Sequence, residues 1–306
     1  NQNFIINKET AESVSKLKND VEICFNDDKI KNLYFASGSF KSRMNILYST
    51  DDYPQFPAMP DSSLIATQAD IIPAIIASNK AQATGTANSI LTGTVLVRDG
   101  YTGITVASTD GYCLFVDKIE AENTAWADTY DQKIILNNPF TNGLKQFKDQ
   151  TGYNLYANHS HVMIRFESGE RFAARLIEGK YPDFNKILPK SFAHKISIDR
   201  AELKRILSDL KPCVNPETHV FSVVFADKIR FETSQPATPA VFDSNTAIYD
   251  RDRPFYARIS FNRNYAADMI DLFDCDRLTI SLNSEIQPAV ITGNAGDNRL
   301  VMLMPI

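Results

Sequence analysis

Tyr53-Pro54-Gln55-Phe56 and Tyr181-Pro182-Asp183-Phe184 are one phrase written twice along the chain. Their lead-ins match as well: an alternating basic run from Lys41 to Leu47 (KSRMNIL) precedes the first, and Arg171 to Ile177 (RFAARLI) the second. A proline follows each copy closely, Pro60 and Pro189, and after it comes a segment with helix-start chemistry. Self-similarity at a fixed period of this size means one fold used more than once, with equivalent linkers at equivalent places.

The totals suit such a chain. Its 306 residues are enough for about two to three domains. With 43% hydrophobic and 23% charged residues, each module can bury a core. No apolar run approaches the ~20 residues that cross a bilayer, and the N-terminal NQNFIINKET lacks a basic-then-apolar signal layout. Cys24, Cys113, Cys213 and Cys275 are far apart and form no CxxC pair, which reads as reduced thiols in a cytoplasmic protein. A net charge of −5 by itself argues against a nucleic-acid partner, but it says nothing about where the charges lie.

Between residues 61 and 189 the periodicity predicts strand, helix, several strands, and the same again; residues 190–306 run through the same order. Residues 1–60 hold only half of that unit: a strand, a helix over 8–18, and further strands. The expectation is an α+β chain of two and a half copies of a twice-repeated βαβββ module, divided 1–60, 61–189 and 190–306. Thr67 to Asp70 and Asp199 to Glu202 have capping-box spacing. Pro73 is expected to kink or delay the helix after the first box. Further helices are expected over 138–150, from Asp199 to about Lys211, and over 262–273, and a strand over 89–98. Thr109-Asp110-Gly111 is a turn signal between strands.

Three phrases in this order resemble the bacterial sliding clamp, the beta subunit of DNA polymerase III. They are Ser108-Thr109-Asp110-Gly111-Tyr112, the linker from Leu176 through Tyr181-Pro182-Asp183-Phe184 to Pro189, and the C-terminal Val301-Met302-Leu303-Met304-Pro305. The resemblance implies a DNA clamp fold: three similar domains per subunit, two subunits head to tail, helices lining a central hole, and antiparallel sheets outside. It implies a processivity factor without catalysis or cofactor, which encircles double-stranded DNA and binds short hydrophobic peptides of the replicative polymerase and clamp loader. DNA-facing residues would be Lys8, Lys16 and Lys18, then Lys80, Lys145 and Lys148, and Arg200, Lys204, Arg205, Lys211 and Arg263. Such phosphate contacts are sequence-independent and salt-sensitive.

The same resemblance implies a peptide pocket. Its walls would be Leu91, Thr109, Gly111, Tyr112, Cys113, Leu114, Pro182, Lys186 and Ile187, with Asn262, Tyr265, Ile286, Pro288, Met302, Leu303, Met304 and Pro305. Methionines and branched aliphatics make an adaptable apolar slot. Read without the resemblance, Ile286, Met302 and Leu303 are core residues of a final strand. The chain departs from the family where Cys113 and Lys186 replace arginine, where aromatic residues near Ser89 and Ile90 are absent, and where the first half of domain 1 does not appear.

Other readings are thinner. His159 and His161 form an H-x-H without an evident third metal ligand. The sequence has no GxxxxGK[ST] phosphate loop and no nucleophile elbow. A β-rich hydrolase or sugar-binding domain would need a concave carboxylate-lined cleft, and a clamp-fold decoy or adaptor would keep the peptide pocket without encircling DNA.

Overall fold

A computed structural model describes residues 7–17, 20–25, 32–45, 56–58, 64–67, 71–85, 90–99, 103–120, 133–233, 238–250, 256–294 and 297–306. The chain divides into two compact units, residues 1–57 and 58–306. The first has helix α1 (Lys8–Ser15) and an antiparallel sheet of β1 (Glu22–Phe25), β2 (Asn32–Ser37) and β3 (Phe40–Asn45) in that order. Asn7 caps α1 by accepting from the Thr10 amide at 2.9 Å. The helix stops at Ser15, short of the expected 18, and Lys18 lies outside the described residues. Residues 53–55 of the first repeated phrase also lie outside them.

The second unit writes its element order twice. First come β4 (Leu64–Thr67), α2 (Ile71–Ser78), β5 (Thr94–Asp99), β6 (Gly103–Thr109), β7 (Cys113–Glu120), β8 (Lys133–Leu136), α3 (Asn138–Gly143), β9 (Tyr153–Ala157), β10 (His161–Phe166) and β11 (Arg171–Arg175). Then follow β12 (His194–Asp199), α4 (Arg200–Leu210), β13 (Val220–Phe225), β14 (Ile229–Glu232), β15 (Val241–Asp243), β16 (Ile248–Tyr249), β17 (Ala257–Asn262), α5 (Arg263–Ile270), β18 (Arg277–Leu282), β19 (Ala289–Thr292) and β20 (Arg299–Leu303). Two four-stranded sheets, β11-β10-β9-β4 and β15-β14-β13-β17, flank a nine-stranded one ordered β16-β12-β18-β19-β20-β7-β6-β5-β8. The large sheet is continuous because β20, the last strand of the second series, pairs antiparallel with β7 of the first.

Strand alternation gives this sheet two apolar faces. Phe115, Val301 and Leu303 point to the helix side, into a core shared with Ile75, Phe140, Leu207 and Met269. Leu114, Val116 and Met302 point the other way, where Tyr181 and Phe184 of the second repeated phrase cover them. The phrase therefore works as a lid on the outer face of the sheet. Under α4 and α5 the inner core leaves a wholly apolar cavity of about 40 Å³, lined in part by Leu203, Phe221, Ile270 and Leu303.

Several local expectations need correction. Among the described residues helix α2 runs over Ile71–Ser78 and carries Pro73 at its third position. Residues 68–70 of the first capping box lie outside the described residues. Residues 90–93 are turn, and their strand starts only at Thr94. The helix expected over 138–150 is α-helical only to Gly143 and tightens to a 3₁₀ turn over Leu144–Phe147. The Phe172 ring lies on that glycine, where a Cβ would meet its Cζ at 2.4 Å. The same ring stacks on Phe140 at 5.0 Å. The four cysteines are free thiols.

The second capping box is half-made. Asp199 accepts from the Glu202 amide at 2.8 Å as expected. Glu202, however, turns away to collect the Ser244 hydroxyl at 2.7 Å, the Asn245 amide at 2.9 Å, the Thr246 amide at 3.2 Å and the Thr246 hydroxyl. Burial alone would raise this carboxyl, but those donors outweigh it and hold the group below its ordinary value. Glu202→Gln loses the charge and an acceptor, so a loss of about 1–3 kcal/mol is expected in denaturant unfolding at neutral pH. Because the folded-state pKa is depressed, that stabilisation is complete above the unfolded value of about 4.3. The gap between wild type and variant therefore closes as the pH falls through the folded value.

Candidate functional site

The seam between β7 and β20 organises the site. Its register runs from Cys113 opposite Leu303 to Asp117 opposite Arg299. Arg299 donates to Asp117 Oδ2 through Nε at 2.9 Å and Nη2 at 2.6 Å, and through Nη1 to the Leu272 carbonyl at the end of α5. Its guanidinium also lies 5.6 Å from the Phe115 ring centre. Burial pushes the Asp117 carboxyl up, and the arginine only partly offsets this.

At the pocket end of the seam stands the Thr109-Asp110-Gly111 turn. Asp110 Oδ1 accepts from the amides of Tyr112 at 2.8 Å and Cys113 at 2.9 Å, and Gly111 takes a φ of 95°, which favours glycine. The Thr109 amide donates to the Tyr181 hydroxyl at 3.1 Å, tying the turn to the linker. Burial, more than this bond, sets the Tyr181 phenol, raising it to about 12. From the other side Asn262 caps α5 and places Tyr265 on its first turn. The Tyr265 ring stacks on Tyr112 with centres 6.3 Å apart and planes at 18°. Its hydroxyl is raised by burial and by its hydrogen bond to Asp110. The C-terminal residues are pinned as well: the Met304 amide donates to the Tyr112 carbonyl and the Ile306 amide to the Ser260 carbonyl, both at 2.9 Å.

The expected pocket residues divide by exposure. Tyr112 (66% exposed), Ile187 (49%) and Met304 (36%) offer apolar surface. Gly111, Pro182 and Lys186 are exposed, while Leu91, Asn262, Tyr265, Pro288 and Pro305 are half-buried. Thr109, Cys113, Leu114, Met302 and Leu303 are buried. Cys113 and Leu303 face the helix-side core, and Leu114 and Met302 lie under the linker. These four form the floor on which a pocket stands. Ile286 is 86% exposed on the loop between β18 and β19, so it is not a core residue of a final strand. The sequence reading missed Asp110, which ties both tyrosines and the turn together, and the exposed Ile306.

The expected DNA-facing cations also divide. Lys204 pairs with Asp271 at 2.6 Å, Lys80 with Asp268 at 2.6 Å, Arg205 with Asp209 at 3.2 Å and Lys8 with Glu12 at 3.5 Å. Lys145 donates to Asn142 at 2.8 Å, and Lys16, Lys148 and Lys211 are exposed. Arg200 and Arg263 are not free cations: Arg200 donates to the Ile270 carbonyl at the end of α5, and Arg263 to the Leu207 carbonyl near the end of α4. Each helix start thus caps the neighbouring helix's end, where a cation meets the negative pole of the dipole. His161 Nδ1 lies 2.8 Å from the Ser160 hydroxyl, and the described residues contain no group of three metal-ligating side chains.

Residues 185–306 match the family described as DNA polymerase III beta subunit, C-terminal domain. The beta sliding clamp of Synechococcus elongatus is 24% identical over 96% of this chain and 78% of its own. Residues 185–306 thus carry the C-terminal domain of that family, and the chain as a whole is similar to beta sliding clamps. The beta sliding clamp of Staphylococcus aureus is 21% identical over 84% of the chain and 67% of its own. The fold agrees: the DNA polymerase III subunit beta of Pseudomonas aeruginosa superposes with a TM-score of 0.85 at 18% identity, covering 98% of this chain and 81% of that one. For the sliding clamp of Bacillus subtilis the figures are 0.83, 18%, 98% and 78%. The family model and these relatives are named for DNA polymerase III beta subunits and sliding clamps, and none of them for a hydrolase or a sugar-binding protein.

Within this chain the burial pattern separates floor from rim. Leu303→Asp places a carboxylate in a core position only 5% exposed, and it is expected to melt the second series of elements. Deleting 304–306 removes mostly exposed atoms and two backbone bonds, a loss of about 1–3 kcal/mol that leaves the fold intact. Circular dichroism melts of the two variants check both statements.

Proposed function

We infer that the chain works as a polymerase processivity factor: it encircles duplex DNA without reading sequence and tethers polymerase and clamp loader through peptides held at the Tyr112–Tyr265 junction. Its domains are 1–60, 61–189 and 190–306, and its place is the cytoplasm. One observation carries the ring. The β20–β7 seam joins the last strand of one series to the last strand of the four-stranded half-sheet in the other. Within the second unit the repeat leaves one further copy of each edge, since β11 stands in the first series as β20 does in the second, β15 stands in the second as β7 does in the first, and both end their sheets. A joint with one spare edge of each kind continues head to tail, and it closes when the rotation permits. Helices α2–α5 then face the DNA, which meets them only through phosphate contacts.

At the pocket, Tyr112, Ile187, Met304 and Ile306 offer an apolar surface bounded by the polar Asp110–Tyr265 pair. Such a surface suits a peptide with a Leu-Phe pair as anchor and a glutamine for the polar rim. Calorimetry of that peptide is expected to show at least tenfold weaker binding by the 304–306 deletion than by wild type, because a few central anchors carry most peptide affinity. Equal affinity would remove the tail from the site.

The function itself is tested by primer extension with a cognate polymerase and an active loader. Products lengthen when the chain is present if it is a clamp and stay unchanged if it is not. A sedimentation run on the same sample gives a dimer for a clamp and a monomer for a decoy or adaptor.

A further inference from the structure

The exposed face of the helix layer carries a ladder of alternating charge. Lys204 on α4 meets Asp271 just after α5, and Asp268 on α5 meets Lys80 in the turn after α2. Both contacts are 2.6 Å, and all four side chains are a little under half exposed. The opposite face of α5 is apolar and buried through Ala266, Met269 and Ile270, so the ladder lies on the side away from the sheets. Two lysines that phosphates would meet are therefore already matched by carboxylates of this chain.

We propose that Asp268 and Asp271 act as internal phosphate competitors, which hold Lys80 and Lys204 in exchangeable pairs and keep the clamp's grip on DNA weak. The proposal rests on the DNA-encircling reading and specifies how that contact is regulated. Exposed pairs are worth ~0–1 kcal/mol, so a phosphate can displace the carboxylate at little cost, and the carboxylate can reclaim the lysine as the duplex moves past. Each exchange gives up one ion pair for another, and the net attraction stays small at every position along the DNA. A lysine without such a partner would hold its phosphate more tightly and resist displacement.

The test is anisotropy of a fluorescent 30-base-pair duplex over a salt series, with circular dichroism melts to confirm folding. Asp268→Asn and Asp271→Asn are each expected to tighten binding roughly fivefold, because each removes a pair of this exposure. Together they steepen the salt dependence by about two phosphate contacts, at a slope of about 0.9 per contact. Asp274→Asn is the charge-matched control: Asp274 is exposed and forms no ion pair among the described residues, so it moves affinity by less than about twofold through distant screened charge alone. The cycle with Lys204 decides the mechanism. Lys204→Ala weakens wild-type binding modestly, and in the Lys204→Ala background Asp271→Asn brings no gain. An equal loss from Lys204→Ala in both backgrounds, or an equal gain from Asp274→Asn, would overturn the competitor role while leaving the DNA reading in place. Failure of every variant to bind duplex at low salt would sink both.

Discussion

The pairing of β7 with β20 is the constraint on which the second unit depends. It turns two half-sheets into one nine-stranded sheet and sets the faces to which Leu114, Met302, Cys113 and Leu303 point. A one-residue slip would exchange those faces and drive Arg299 off Asp117. The register is fixed at one end by that part-buried ion pair and at the other by the Met304–Tyr112 backbone bond. The pocket stands at one end of this strand pair, where α5 of the helix layer brings Tyr265 to Tyr112. Arg299 bonds a carbonyl at the end of α5, while the same strand runs on into the tail.

Electrostatics reconcile a net charge of −5 with the proposed DNA partner. Net charge governs long-range steering, whereas contact is set by which side chains lie on the helix face. On that face the chain uses its cations sparingly. Two arginines hold helix ends together, and several others are paired with carboxylates close by. The arrangement suits an object that must stay on DNA by topology rather than by affinity.

Much of this was legible in the sequence because it depends on local chemistry. The repeated Tyr-Pro-x-Phe phrase marks a linker, and in its second copy Tyr181 and Phe184 are the residues that cover the outer face. Asp199 and Asn262 cap their helices as short polar residues do before an apolar run. What escaped depends on partners distant in the chain. The spacing of Glu202 suits a capping box, but its donors lie more than forty positions on, at 244–246. Lys80 reads as a free cation until α5 brings Asp268 to it. Met302 and Leu303 read as pocket with the resemblance and as core without it, because only the seam register decides which face each one takes.

Native-state hydrogen exchange of the β7 and β20 amides that point across the seam tests this account most directly. If the seam makes the two series one body, those amides exchange as slowly as the central amides of β13, and all of them speed up together in Arg299→Met. Fast exchange at the seam of the wild-type protein, with β13 still protected, would mean that the two series open from each other independently of their cores, and the account built on their shared sheet would fail.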